Sequence, residues 1–236
     1  MALHVLSDLH LDPARPAISA RFIDYLNGPA RQAEAVYILG DLFEVWADDD
    51  VSAPLYADEL AAMQGLTRHG VPIAFICGNR DFLCGAGFEQ ASGARVVSEP
   101  FSPPGHCDIK FMHGDVLCTD DVGYQRFRRI VRWPWLQWLY RRLPRTLKLR
   151  IAARIRGSAR EMTRLKPEDI LDVTPQAVSA FFDAHPACRL LIHGHTHRPA
   201  EHAFDAQRTR LVLSDWTERQ GEYLSLDAQG WMRHPL

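Results

Sequence analysis

The sequence contains no run of about 18 consecutive apolar residues, so no membrane-spanning helix is expected. It opens Met1-Ala2-Leu3-His4-Val5, without a basic stretch or a cleavage pattern, so no secretory leader is expected either. Cysteine is scarce. Cys77, Cys84, Cys107, Cys118 and Cys188 are odd in number and lack paired CxxC spacing, which fits reduced cytoplasmic thiols rather than a disulfide framework. There is no internal repeat and no low-complexity tract. With 236 residues, 47% of them hydrophobic, the chain can bury a full core, and a single domain over 1–236 is expected.

Charge is unevenly distributed. The net charge is −2, yet the stretch from Arg126 to Lys166 holds fourteen basic residues and one acid, Glu161. The remainder carries 13 basic and 28 acidic residues. Such segregation points to a surface for an anionic partner. The same stretch crowds Trp133, Trp135 and Trp138 among arginines, and Pro134 and Pro144 divide it into short helices before a longer basic one over about Leu147–Leu165. Arginine interleaved with aromatics suits nucleic acid, a membrane interface or a lipid-binding cap.

Five short blocks carry chemistry: Asp8-Leu9-His10, Gly40-Asp41, Gly78-Asn79-Arg80-Asp81, His113-Gly114-Asp115 and Gly194-His195-Thr196-His197. Each follows an apolar run that reads as a buried strand: Leu3–Leu6, Ala35–Leu39, Pro72–Cys77, Ile109–Met112 and Arg189–Ile192. The blocks therefore fall at the carboxyl ends of strands, where α/β sheets place their sites. Helices are expected over about Ile18–Leu26, Leu55–His69 and Thr174–Ala184, with further strands near Arg95–Val97, Arg210–Leu213 and Glu222–Leu226. The acidic Trp46–Asp50 reads as a solvated loop.

Asp8, His10, Asp41, Asn79, His113, His195 and His197 are O and N ligands suited to Mn²⁺, Fe²⁺ or Zn²⁺. Seven exceed what one ion needs, so two ions sharing a carboxylate are expected, lowering the pKa of a water held in line with phosphorus. Asp81 and Asp115 are expected to orient ligands rather than bind metal. His193 and the remaining histidines read as structural or exposed.

The ordered blocks resemble the calcineurin-like metallophosphoesterase superfamily. That resemblance implies an α/β sandwich of two mixed sheets flanked by helices, here with an inserted helical cap over about 122–170. It assigns one ion to Asp8, His10, Asp41 and His197, and the other to Asp41, Asn79, His113 and His195. Many members carry His after the Asn as a general acid. Here Arg80 stands there, too basic to donate a proton but suited to clamping phosphate, which favours a phosphoanhydride substrate.

Ser-Asp-Leu-His-Leu, Leu-Gly-Asp-Leu-Phe-Glu-Val-Trp, Gly-Asn-Arg-Asp-Phe-Leu, His-Gly-Asp-Val-Leu-Cys-Thr-Asp-Asp and His-Gly-His-Thr-His-Arg-Pro are similar to the UDP-2,3-diacylglucosamine hydrolases of Gram-negative lipid A synthesis. The family implies hydrolysis of the UDP-2,3-diacylglucosamine diphosphate to UMP and 2,3-diacylglucosamine 1-phosphate, with two Mn²⁺ per chain, peripherally at the cytoplasmic face of the inner membrane. It implies an anionic lipid surface as partner, with no nucleic acid and no obligate protein partner. By position, Asn79, Arg80 and His195 contact the diphosphate, Asp121 the glucosamine, and Thr163 and Lys166 the head group. The family often has Ser where this chain has Ala159, and Ser158 is the neighbour that could replace it. Three other readings remain open on the residues: a nuclease of the same superfamily, a non-enzymatic membrane or scaffold module, and a soluble nucleotide pyrophosphatase. Mononucleotide release from DNA or RNA, and metal analysis of the purified protein, discriminate the first two.

Overall fold

The computed structural model describes residues 2–165 and 168–236, with side chains in that range other than those at 156 and 158–169. The chain runs through β1 (Leu3–Leu6), α1 (Pro16–Asn27), β2 (Ala35–Ile38), α2 (Asp49–Ser52), α3 (Ala57–Arg68), β3 (Ile73–Ile76), α4 (Ala86–Ser92) and β4 (Arg95–Val97). It continues with β5 (Ile109–Met112), α5 (Val122–Val131), α6 (Pro134–Arg141), α7 (Arg145–Leu165) and α8 (Pro175–Ala184). It closes with β6 (Leu190–His193), β7 (Ala200–Ala203), β8 (Thr209–Val212), β9 (Glu222–Asp227) and β10 (Gly230–Pro235).

Two mixed sheets face each other. One has the order β10-β9-β1-β2-β3-β4, the other β5-β6-β8-β7. Strands β1 to β4 are mutually parallel, as are β5, β6 and β8, while β9, β10 and β7 run antiparallel to their neighbours. The period of two along a strand sorts side chains between faces. Leu3, Val5 and Tyr37 point between the sheets to meet Phe111, Ile192 and Leu211. Leu6, Ile38 and Phe75 point outward, to Phe22 of α1, Met63 of α3 and Phe88 of α4. On the far side, Met112 and Leu191 pack on Val178 and Phe182 of α8. Covered on both faces, the central strands read as unbroken apolar runs. The carboxyl ends of β1, β2, β3, β5 and β6 meet along one edge, and that edge positions the site.

Pro134 sits in the first turn of α6 and Pro144 directly precedes α7, where a missing N–H costs nothing. Helices α5 and α6 have no buried residue. The acidic segment Trp46–Asp50 departs from the expected solvated loop: Trp46, Ala47 and Asp48 are buried. Its partners lie far along the chain. Lys148 Nζ of α7 reaches Asp48 at 2.6 Å and Asp50 at 2.9 Å, and Asp49 accepts the Trp46 indole N–H and the Gly85 and Gly87 amides.

Candidate metal centre

The strand ends place their ligands through strained backbone. Asp8, His10, Asp41, His195 and His197 all have positive φ, between 50° and 69°. For residues with a Cβ this conformation is costly and persists only where surrounding contacts impose it. Those contacts are visible: the Asp8 amide donates to Gly40 O at 3.1 Å and the His10 amide to Asp41 O at 3.0 Å. At Gly40 (φ 89°) a Cβ would lie 2.5 Å from His113 Nδ1 and 2.7 Å from Gly78 Cα, so only glycine lets these loops close.

Six of the seven expected ligands converge at short side-chain distances. Ligand atoms of Asp8, His10 and His197 lie within 4.8 Å of one another, as do those of Asp8, Asp41 and His113. His197 Nε2 is 3.3 Å from Asp8 Oδ1 and 3.2 Å from His10 Nε2. His113 Nε2 is 2.8 Å from Asn79 Oδ1 and 3.7 Å from Asp41 Oδ1. His195 stands beside them, its ring centroid 4.9 Å from that of His113 and its amide donating to Asp8 Oδ2 at 2.8 Å. Asp8 is common to both groups, and Asp41, the shared carboxylate that the resemblance implies, lies in the second.

The donor set fits divalent cations. Asp8 Oδ1 is buried without a hydrogen-bond partner, an expensive arrangement for a carboxylate oxygen. The Leu39 carbonyl accepts from His113 Nδ1 at 2.9 Å, which leaves Nε2, facing Asn79 Oδ1 and Asp41 Oδ1, as the atom that would ligate a cation on giving up its proton. Donors gathered in this way suit a divalent cation, whose binding would displace the His113 proton.

Electrostatics follow from burial and crowding. Burial opposes ionisation of Asp8, yet the close approach of His197 and the nearby imidazoles hold its carboxyl well below the usual range. Asp41 is pushed up, by burial first and then by Asp8, against the pull of His113 and Arg80. Burial lowers His113, but Asp41, Asp8, Asp115 and Glu99 together carry it up to about 9. His195 falls to about 4, through burial and then the charge of His113.

Arg80 lies beside the cluster with about a third of its side chain exposed. Its Nη1 is 2.9 Å from Glu44 Oε2, its Nε 3.4 Å from Asp41 Oδ2, and its amide donates to Asp41 Oδ1 at 2.9 Å. An open cleft of about 590 Å³ begins here, lined by His10, Arg80, His197 and Asp215 among others. Asp121 caps α5, accepting from the Tyr124 amide at 3.0 Å. Asp81 ties two ligand loops together, accepting from Gly78 N and Leu42 N at 2.7 Å each. His193 is buried, its Nδ1 2.8 Å from Gly194 O and its Nε2 3.1 Å from Arg210, outside both clusters. The Thr163, Ser158 and Ala159 side chains and the whole of Lys166 lie outside the described residues.

Several contributors were invisible in the motifs. Glu44 braces Arg80 and lies 3.8 Å from His10 Nδ1. Asp215 is 3.6 Å from His197 Nδ1. Glu99 accepts the His113 amide at 2.9 Å. Glu44 stands within the quoted Leu-Gly-Asp-Leu-Phe-Glu block, whereas Glu99 and Asp215 have no local signal. Four residues of the basic stretch turn inward to acidic or carbonyl partners: Arg128, Arg132, Arg141 and Lys148. The segregated charge is thus partly an internal complement and not wholly a surface.

Comparison with known proteins fits this geometry. A profile of calcineurin-like phosphoesterases matches residues 1–199. A UDP-2,3-diacylglucosamine hydrolase of Pseudomonas putida is 42% identical over 98% of each chain. A protein of the same name from Vibrio parahaemolyticus is 41% identical over 96% of this chain and 94% of its own, and one from Sodalis glossinidius 43% identical over 99% and 98%. A dimetal phosphatase from Danio rerio superposes over 100% of this chain and 98% of its own with a TM-score of 0.52; at 12% identity it speaks to the fold alone.

Proposed function

Because the chain belongs to the calcineurin-like phosphoesterase family and within it to the UDP-2,3-diacylglucosamine hydrolases, we propose that it hydrolyses the diphosphate of UDP-2,3-diacylglucosamine. The products are UMP and 2,3-diacylglucosamine 1-phosphate, in lipid A synthesis. One juxtaposition carries the reading: a buried cluster of cation ligands with an arginine at its rim, next to helices whose tryptophans face solvent. Trp133, Trp135 and Trp138 are each more than half exposed. An exposed apolar area of this kind marks a lipid or partner site.

Two Mn²⁺ are assigned to the centre, one to Asp8, His10, Asp41 and His197, the other to Asp41, Asn79, His113 and His195. When bound, such ions polarise the phosphoryl group and make an attacking water more acidic. Arg80, braced by Glu44 and Asp41, directs its remaining N–H donors at the diphosphate oxygens. Asn79 and His195 touch the same group. The leaving group is itself a phosphate monoester, so the lack of a titratable acid at position 80 is no handicap. Asp121 contacts the glucosamine, and Thr163 and Lys166 the head group. The helical segment 122–170 shelters the acyl chains, each covered CH₂ contributing about 0.8 kcal/mol. Its basic, tryptophan-rich face rests on anionic lipid at the cytoplasmic side of the inner membrane, at about 1 kcal/mol per Lys or Arg. Among the described residues no helix is long and apolar enough to cross a membrane, and the attachment proposed is peripheral, through the cap.

Incubation of purified protein with UDP-2,3-diacylglucosamine and Mn²⁺ tests the proposal. UMP and the lipid phosphate should appear in equal amounts. No UMP, with mononucleotides released from DNA or RNA instead, would favour the nuclease reading.

A further inference from the structure

Helix α5 is amphipathic in the reverse sense. Its apolar Phe127 and Ile130 are 38% and 53% exposed, while Tyr124, Arg128 and Arg132, spaced four apart on one stripe, turn toward the protein. Burying charge while exposing apolar side chains is unfavourable unless both faces are matched. The inner face is matched by the backs of two ligand loops. Arg128 bridges two carboxylates: its Nε donates to Asp115 Oδ2 at 2.7 Å and its Nη2 to Glu99 Oε1 at 2.7 Å. Glu99 uses its other oxygen to accept the His113 amide at 2.9 Å. Asp115, which follows His113 by two residues, also accepts from the Tyr124 hydroxyl. One turn on, Arg132 Nη2 donates to Gly78 O at 2.9 Å, the carbonyl directly before Asn79. The stripe therefore grips the backbone on either side of the Asn79–His113 contact of 2.8 Å.

We propose that Arg128 and Arg132 are positioning residues that hold the Asn79 and His113 loops in ligand geometry, making α5 part of the catalytic scaffold as well as of the lipid shelter. This rests on the reading that the cluster holds two ions. Without Arg128, the fully buried Asp115 and the nearly buried Glu99 lose their two 2.7 Å contacts and keep only Arg132, 3.9 Å from each. Glu99 is then free to release the His113 amide. Lysine cannot replace the fork, because one ammonium does not span two carboxylates in a fixed plane. The two faces of one helix should consequently give different kinetic signatures.

The test compares Arg128→Ala with Ile130→Ser by Mn²⁺ titration, following free Mn²⁺ by electron paramagnetic resonance, and by steady-state kinetics. Loss of a group that orients a metal ligand typically costs about ten- to a hundredfold in metal affinity or activity. Arg128→Ala should weaken one Mn²⁺ by that factor and lower kcat, with little change in KM for the diacyl substrate. Ile130→Ser should raise KM while both Mn²⁺ bind as in the parent. If Arg128→Ala does not fold, Glu99→Gln tests the same link, since glutamine keeps an acceptor for the His113 amide but loses the charge that holds Arg128. A smaller loss of Mn²⁺ affinity, of roughly threefold to tenfold, is expected there. Parent-like binding of both Mn²⁺ by a folded Arg128→Ala or Glu99→Gln would overturn the proposal. Absence of UMP release by the parent would instead refute the substrate, and the Mn²⁺ titration would still decide the positioning role.

Discussion

Replacing Trp135 by serine tests the lipid role of the helical segment with little disturbance elsewhere. The residue is 59% exposed, the most exposed of the three tryptophans. A tryptophan can cover roughly 150–250 Å², so a little over half of that, about 110 Å², remains for a lipid to bury. At about 25 cal/mol per Å² this gives roughly 2.5–3 kcal/mol as an upper bound, or about a hundredfold in affinity. Trp133 is close by, with ring centroids 6.0 Å apart, and can cover part of the gap, so a loss of ten- to fiftyfold is the working expectation. The assay has two arms. Sedimentation with vesicles containing anionic lipid should show weaker binding, and KM for UDP-2,3-diacylglucosamine should rise. Hydrolysis of a short, soluble UDP-sugar analogue should change much less, because the centre meets only the diphosphate. Equal loss on both substrates would refute the reasoning and make Trp135 part of the support for the centre.

Three further outcomes follow from the geometry. Arg80→Ala should keep both metal ions and lose about 10²- to 10³-fold in turnover, since the position-80 amide still donates to Asp41 after truncation; loss of metal would show that the guanidinium serves Asp41 instead. Lys148→Met leaves Asp48 buried beside one fewer cation, and with Asp50 half exposed the Asp48 pair dominates. About 3 kcal/mol and a melting temperature lower by roughly 6–12 °C are expected by calorimetry, and a shift under 2 °C would contradict the pairing. Burial, and then the charge of His234, lowers His4 from 6.5 to about 4. The unfolded chain therefore takes up this proton first, so the stability from neutral His4 is full above about pH 6.5 and lost as pH falls toward 4. His4→Gln should flatten that part of the melting-temperature profile, and an unchanged slope would exclude His4 as its source.

The legible parts of the fold are those whose signal is local. β1, β2, β3, β5 and β6 are buried on both faces, so their apolar runs stand out, and the ligand blocks follow them within a few residues. The edge strands β7 and β10 gave no such signal: Ala-Glu-His-Ala is mostly exposed, and Gly-Trp-Met-Arg-His-Pro lacks clean alternation. Short α4 has little period to read. The acidic Trp46–Asp50 was misread because Lys148, which neutralises it, lies 98 residues away from Asp50. Glu99 and Arg128 escaped for the same reason, since a bond across 29 residues leaves no spacing motif. The strained φ values of five ligands were equally silent, because they arise from tertiary contacts around the loops and not from residue type.

The central claim is that paired ions on the Asp8–Asp41–His113 edge drive diphosphate hydrolysis. Mn²⁺ content and UMP release measured on the same samples, for the metal-stripped parent titrated with Mn²⁺ and for Asp41→Ala, test it most directly. Activity should rise with occupancy and reach its maximum at two Mn²⁺ per chain, while Asp41→Ala should neither fill both sites nor release UMP. Full turnover by the stripped parent, or by Asp41→Ala, would contradict the account.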